Sequence, residues 1–222
     1  MSQDARALRR AGKVVLRLYQ DYEPRVTAKI AEKYQVTCSR GCNHCCHLPA
    51  SASLPEMAPI VESLAGRTDW NTRRREMERA VRAQLPIMAE VAFWQVEKRQ
   101  AFFERRMPCV FLRGGECSVY DQRPAVCRYH YAVTPPENCA HGAADPRVAT
   151  VNLEKVVTSV QLAGAQELGV VLMAPIPVTL VWAARKLGVK FDVPSSPALD
   201  PQRWAAFSLA MSQNPGPQGH HP

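Results

Sequence analysis

All eight cysteines of the chain fall into two blocks, and these residues are the ones most able to do chemistry. The first block is Cys38-x3-Cys42-x2-Cys45-Cys46, and the second is Cys109-x7-Cys117-x9-Cys127-x11-Cys139. Two thiolates separated by two residues in a tight loop reach one metal ion, and Gly41 allows the backbone to turn sharply there. Thiolates select zinc, Cu(I) or iron–sulfur clusters over magnesium or calcium. The two blocks therefore predict a cysteine-ligated metal centre.

The number of thiols leaves two arrangements open. Eight cysteines complete two four-thiolate sites, or they hold one cluster and leave extra cysteines. Because adjacent side chains point apart, we expect Cys45 and Cys46 to serve different ions, or one of them to pack or perform chemistry. Buried free thiols and disulfides are the structural alternatives, and disulfides are disfavoured in a reducing compartment.

Clustered thiolates accumulate negative charge, which nearby guanidinium groups can offset by donating hydrogen bonds to sulfur. Arg40, Arg123 and Arg128 lie within four residues of a cysteine and are the candidates for this role. We expect Arg123 or Arg128 to lie against the cysteines instead of extending into solvent.

Histidines near the blocks are the alternative ligands. His44 and His47 flank Cys45-Cys46, and His130 follows Cys127 by three residues. Each could replace a thiolate, but the eight cysteines already suffice for two sites. His141 is a weaker candidate, and His220 and His221 belong to a tail that we do not expect to bind metal.

The sequence resembles the YkgJ-like cysteine-cluster proteins, also described as CxxCxxCC zinc- and iron-chelating domains. The resemblance rests on CSRGCNHCC at 38–46, PCVFLRGGECSVY at 108–120 and RPAVCR at 123–128, with Cys139 matching a further cysteine. The first block has three residues between Cys38 and Cys42, where the family name implies two. The resemblance implies metal or iron–sulfur binding and leaves the metal open. Some flagellin lysine methylases carry a related module, but this chain has no glycine-rich methyl-donor motif.

The elements that must position these cysteines are predicted to be mainly helices. Apolar spacing predicts a helix over 3–35, which Pro24 should kink or divide. Ser53-x-x-Glu56 is a capping box that opens a helix to about Leu64, ended by Gly66. Asp69 can cap a further helix, which we expect Pro86 to interrupt before about residue 106. Helices are also predicted over 148–168 and 178–187.

The region 107–147 is predicted to consist of turns and short pieces. Gly114-Gly115 can turn a short β-hairpin with strands near 109–112 and 117–120. Asp121 can cap a short helix that presents Cys127 and Arg128 together. The predicted fold class is mainly α, with helices around an irregular cysteine-rich metal-binding centre and one short β-hairpin. We expect a single domain over 1–212, with the cysteine cluster at 38–139, and a disordered tail over 213–222.

Composition and charge disfavour several classes of protein, namely disordered, membrane-spanning and nucleic-acid-binding ones. The chain has 222 residues, 46% of them hydrophobic, and a net charge of +8, which fits a globular protein. The charge-free stretch Leu168–Ala184 contains Pro175 and Pro177 and is too short to span a membrane, so we expect a buried helix–turn–helix piece. Without an export signal, the expected location is the cytoplasm. The basic run at 73–82 predicts a solvated helix face, and nucleic-acid binding is disfavoured because no binding motif accompanies it.

Two functions follow from the sequence. The first is a metal-binding cysteine-cluster protein, with iron, an iron–sulfur cluster or zinc held by all eight cysteines, in a redox, oxidoreductase-like or modifying role. The alternative is a zinc-stabilised interaction module without catalysis, whose basic helices dock a protein partner.

Overall fold

The computed structural model describes residues 2–90, 105, 107–140, 150–152 and 154–205. Helices dominate, as the sequence predicts. They are α1 (Gln3–Lys33), α2 (Leu54–Ala65), α3 (Trp70–Ala89), α4 (Ala125–Arg128), α5 (Glu154–Gln166) and α6 (Ile176–Leu187). Single 3₁₀ turns lie at His44–His47, Tyr120–Gln122, Pro136–Cys139 and Pro197–Leu199.

The described residues form three short antiparallel strand pairs, of which one is a local hairpin and two join segments distant in sequence. Strand β1 (Ser51–Ser53) pairs with β6 (Met173–Pro175), and β2 (Leu112–Arg113) pairs with β3 (Glu116–Cys117). Strand β4 (His130–Ala132) pairs with β5 (Thr150–Asn152). The β2–β3 pair is the predicted hairpin in a shorter form. The other two pairs were not predicted, and β5 replaces the start of the helix expected over 148–168.

Helix α1 runs without a break through Pro24, so the predicted division of this helix is wrong. Pro24 is exposed, while α1 buries Leu8, Val15 and Tyr19 before it and Ile30 after it. Packing on both sides of the proline outweighs the one backbone hydrogen bond that the proline removes. The helix starts at Ser2, whose Oγ accepts a hydrogen bond from the Ala5 N–H at 3.2 Å.

Helices α2 and α3 follow the predicted boundaries closely. Ser53 and Glu56 form the capping box of α2, and Gly66 ends it. Asp69 precedes α3, but Pro86 lies inside this helix instead of interrupting it. Leu85 and Met88 are buried on either side of Pro86, so tertiary packing again holds the helix together. The predicted continuation toward residue 106 lies largely outside the described residues.

The main hydrophobic core is built from α2, α3 and α6. The charge-free stretch supplies β6 and then α6, whose residues Ile176–Ala184 are all buried; the expected helix–turn–helix is therefore a strand followed by one helix. No helix in the described ranges has the length and hydrophobicity needed to cross a membrane.

A second, smaller core lies between α1, α4 and α5. It contains Val15, Tyr19, Ala125, Tyr129 and Val160. This core supports the short helix α4, which carries Cys127 and Arg128. The long helix α1 is thus connected directly to the cysteine-rich region.

Candidate metal centre

The first cysteine block folds as a turn followed by a 3₁₀ helix. Gly41 has φ +94°, a conformation that residues with a Cβ rarely adopt, and the Cys42 N–H donates to the Ser39 carbonyl at 3.1 Å. Cys45 and Cys46 then lie inside the 3₁₀ helix His44–His47. The predicted role of Gly41 in turning this loop is confirmed.

The second block is organised by the β2–β3 hairpin. Gly114 and Gly115 have φ +57° and +82°, which fits the two left-handed positions of a tight hairpin turn. Cys109 precedes the hairpin and Cys117 lies on β3. The backbone N–H groups of Phe111 and Val119 donate to the sulfurs of Cys109 and Cys117, respectively.

Hydrogen bonds to sulfur recur in the first block. The Ala132 N–H donates to Cys38 Sγ at 3.0 Å, and the Thr37 N–H donates to the Ala132 carbonyl at 3.0 Å. Such N–H donors stabilise thiolates and tune the potential of metal centres that thiolates hold. The sulfurs of Cys38, Cys109 and Cys117 each accept such a bond, which opposes the stronger effect of burial on their pKa values.

Backbone hydrogen bonds join the two blocks directly. The Cys109 N–H donates to the Cys46 carbonyl at 2.7 Å. Asn43 Nδ2 donates to the Gly115 carbonyl at 2.8 Å, which fixes the first block against the hairpin turn. The two blocks therefore lie together, as the predicted cysteine-ligated centre requires.

Seven of the eight cysteines line one cavity of about 120 Å³. They are Cys38, Cys42, Cys45, Cys46, Cys109, Cys117 and Cys127. Cys139 lies outside this lining, on the 3₁₀ turn Pro136–Cys139, where its thiol interacts electrostatically with those of Cys38, Cys42 and Cys45. All eight are free thiols, so the disulfide alternative is not formed.

The sulfurs are gathered but not yet in coordination geometry. Across the described ranges, no three His, Cys, Asp or Glu side chains stand where they could hold one metal ion. The thiols must therefore move closer together before several of them can coordinate one ion.

The cysteines around the cavity differ in their surroundings. Cys109, Cys117 and Cys127 pack against the main hydrophobic core, whereas Cys38 and Cys45 are exposed. The thiols of the adjacent residues Cys45 and Cys46 are joined by a hydrogen bond, so the expectation that these two side chains point apart is wrong.

Burial keeps most of the thiols protonated in the absence of a cation. It raises the pKa of Cys109 to about 12 and that of Cys127 well above the usual range. Cys45 is the exception, because a hydrogen bond from the Cys46 thiol lowers the Cys45 pKa to about 7 and raises that of Cys46. A bound cation reverses these preferences, since it stabilises the coordinating thiolates directly.

Arg123 and Arg128 both lie against the cysteine cavity, as expected, and their side chains are only 17% and 5% exposed. The hydrogen bond from Cys46 has the largest effect on the pKa of Cys45, and the charge of Arg123 lowers this pKa further. It stacks 4.0 Å from the centre of the Tyr120 ring and donates to the Tyr120 carbonyl at 2.9 Å. Arg40, in contrast, is 57% exposed and pairs with Asp121.

Asp121 does not cap a helix as predicted. Its carboxylate is 81% exposed and is held by Arg40. The N–H of Ala125, the first residue of α4, is instead bound by the carboxylate of Glu56 at 2.7 Å. A residue from α2, distant in sequence, therefore does what Asp121 was expected to do.

Glu56 is the residue of the site that sequence reasoning missed. Its side chain is 1% exposed and accepts hydrogen bonds from Tyr19 Oη at 2.8 Å, the Ser53 N–H at 2.7 Å and the Ala125 N–H. The capping-box motif identified only the bond to Ser53. Glu56 joins α1, α2 and α4, and thereby fixes the helix that carries Cys127.

The histidines take different positions. His130 borders the cavity, and burial lowers its pKa, which favours the neutral form that binds metals. His44 and His47 belong to the 3₁₀ helix but do not line the cavity. His141, His220 and His221 lie outside the described residues.

The described geometry defines a cysteine-rich centre for thiophilic metals, in a mainly helical protein. A family comparison agrees: the CxxCxxCC family, described as "putative zinc- or iron-chelating domain", matches residues 37–147, half of the chain. The chain belongs to this family, whose common feature is metal binding by cysteines. Comparisons with curated proteins and with solved structures gave no significant match.

Proposed function

We propose that the chain binds an iron–sulfur cluster in the cysteine cavity, held by thiolates of both blocks. The observation that carries this proposal is a cavity of about 120 Å³ bordered by seven cysteines. Four thiolates at about 2.3 Å from one zinc ion leave almost no space between them. A cavity of this size, with room for several water-sized groups, fits a centre that contains several metal and sulfide atoms.

The ligand assignment extends to all eight cysteines. Cys109, Cys117 and Cys127 would hold the centre on the core side, while Cys38, Cys42, Cys45, Cys46 and Cys139 would supply the other ligands or a second site. An iron–sulfur centre supplies one-electron transfer, with a potential set by hydrogen bonds to sulfur and by burial. The N–H donors on Cys38, Cys109 and Cys117 and the nearby Arg123 would contribute to that setting. The same proposal gives the iron–sulfur centre a redox role and places the protein in a reducing compartment.

Anaerobic purification of the full chain, followed by metal and acid-labile sulfide analysis, tests this. A brown protein that contains iron and sulfide is the expected result. A colourless protein with stoichiometric zinc and no sulfide would contradict the proposal and favour the zinc-stabilised interaction module.

Two matched substitutions test which cysteines are ligands of the centre. Cys127→Ser removes a thiol on the core side and Cys139→Ser removes one outside the cavity. We expect Cys127→Ser to lose the cluster absorbance, and Cys139→Ser to keep part of it. Equal spectra in both variants and the parent would exclude these two cysteines as ligands.

A further inference from the structure

A second cavity of about 460 Å³ lies beside the cysteine cavity, between α1 and the segment that leads into α4. This size is within the range of small-molecule sites. Five residues border both cavities: Cys38, Tyr120, Arg123, Arg128 and Tyr131. Hereafter we call this second cavity the α1 cleft. A molecule in the α1 cleft would lie beside Cys38 and would be separated from the other cysteines by this shared wall.

One wall of the α1 cleft presents guanidinium groups. The Arg128 side chain is 5% exposed, and its Nη1 and Nη2 donate to the Glu23 carboxylate and to the Asp121 carbonyl. Its Nε–H is buried without a hydrogen-bond partner in the described part of the chain and lies out of reach of the cleft. Arg128 therefore supplies positive charge to this wall, not a free donor.

Arg123 adds a second guanidinium group to the same wall. Its Nε and Nη1 donate to the carbonyls of Cys127 and Tyr120, but Nη2 lies 4.0 Å from the Glu23 carboxylate, beyond hydrogen-bond distance. Glu23, which also borders the cleft, pairs with Arg128. Two guanidinium groups therefore share one carboxylate, which leaves an excess of positive charge.

The other carboxylate of the α1 cleft compensates this charge only in part. Asp121 is 81% exposed and paired with Arg40, which lowers its pKa, and Arg123 and Arg128 lower that pKa to a smaller extent. Two carboxylates are therefore shared by three guanidinium groups. Ile30 and Ala31, about two helical turns along α1 from Glu23, and Val36 from the following segment supply an apolar part of the lining.

We propose that the α1 cleft binds a small organic carboxylate, with its charged group on Arg123 beside the charge of Arg128 and its apolar body against Ile30, Ala31 and Val36. Guanidinium groups bind carboxylates through directed, charge-assisted hydrogen bonds. The apolar wall favours an organic anion over an inorganic one, which would leave that wall in contact with water. This inference rests on the residues of the cleft and does not require that the neighbouring centre be iron–sulfur.

Calorimetric titration of the full chain, as purified, with hexanoate tests the proposal. Matched titrations use 1-hexanol, which lacks the charge, and inorganic phosphate, which lacks the apolar body. Saturable hexanoate binding that is at least about tenfold tighter than that of either control is expected. Absence of saturable hexanoate binding would overturn the proposal, as would equal binding of 1-hexanol or of phosphate.

Two substitutions on exposed positions of α1 locate the binding site without disturbing the core. Ala31→Trp places a large side chain in the cleft, whereas Ala28→Trp makes the same change at an exposed position that does not border it. We expect Ala31→Trp to weaken hexanoate binding by about tenfold or more and Ala28→Trp to leave it unchanged. Equal affinity in both variants would place the binding elsewhere. Metal and sulfide analysis of the same samples separates the two proposals, because a sulfide-free chain that binds hexanoate contradicts only the iron–sulfur assignment.

Discussion

Replacing Glu56 by glutamine should destabilise the protein and loosen its hold on metal together. The Glu56 carboxylate accepts three hydrogen bonds while almost fully buried. An amide nitrogen cannot accept, so Glu56→Gln turns a donor toward the N–H of Ser53 or of Ala125, depending on how the amide is oriented. At least one of these backbone groups is then left without its acceptor.

The expected cost can be estimated from these bonds. A hydrogen bond to a charged group contributes about 1.5–3 kcal/mol, and an unsatisfied buried N–H costs about 1–3 kcal/mol. Because such contributions are not additive, we expect a loss of about 2–4 kcal/mol in the free energy of unfolding. For a chain of this size, that loss corresponds to a decrease of about 4–16 °C in Tm.

Glu62→Gln is the matched control on the same helix. The Glu62 side chain is 39% exposed and pairs with Arg9 at the surface. Surface ion pairs contribute about 0–1 kcal/mol to stability. Thermal unfolding and the rate of metal loss to a chelator are measured on both variants and the parent. Faster metal loss from Glu56→Gln is expected, because Glu56 holds the first residue of the helix that carries Cys127. A Tm and a metal-loss rate equal to those of Glu62→Gln would refute this reasoning.

Further substitutions test the rest of the site and its support. Cys42→Ser should lower both bound metal and Tm, since ligand binding and folding are coupled; unchanged values of both would exclude Cys42 as a ligand. Arg123→Ala and Arg128→Ala should each speed metal loss to a chelator, and parent-like rates in both would show that neither guanidinium supports the centre. Gly164→Ala, despite the better helix propensity of alanine, should destabilise the fold by about 1–3 kcal/mol in chemical denaturation, because its Cβ would lie 2.7 Å from Pro55 Cβ and 2.9 Å from Val15 Cγ2. A stability equal to or above that of the parent would show that α5 shifts freely.

The cysteine centre was predictable from residue type and spacing. Two dense blocks of thiols have few structural uses other than metal binding, and Gly41 and Gly114-Gly115 require turns that only glycine adopts easily. These local signals correctly placed the loop, the hairpin and the convergence of the blocks. They contain no information on which cysteines pack against the hydrophobic core, because that depends on how the loops of both blocks lie against residues distant in sequence.

The remaining differences between the predicted and the observed elements arise from tertiary packing. Pro24 and Pro86 are local helix breakers, yet both helices continue because buried residues flank each proline. The pairs β1–β6 and β4–β5 have strands of three residues, too short to show an alternating pattern. The acceptor of the Ala125 N–H comes from a helix 69 residues away in sequence, so a capping motif near α4 could not reveal it.

The link between Cys46 and Cys109 also has a consequence for synthesis of the chain. The second block is made only after the intervening segment, and at about 5–20 residues per second the ribosome needs roughly 3–13 s to cover that distance. During this interval the four thiols of the first block exist without the hairpin that later holds them in place. They are then open to oxidation and to capture of the wrong metal, and the order of synthesis favours delivery of metal after residue 139 has emerged.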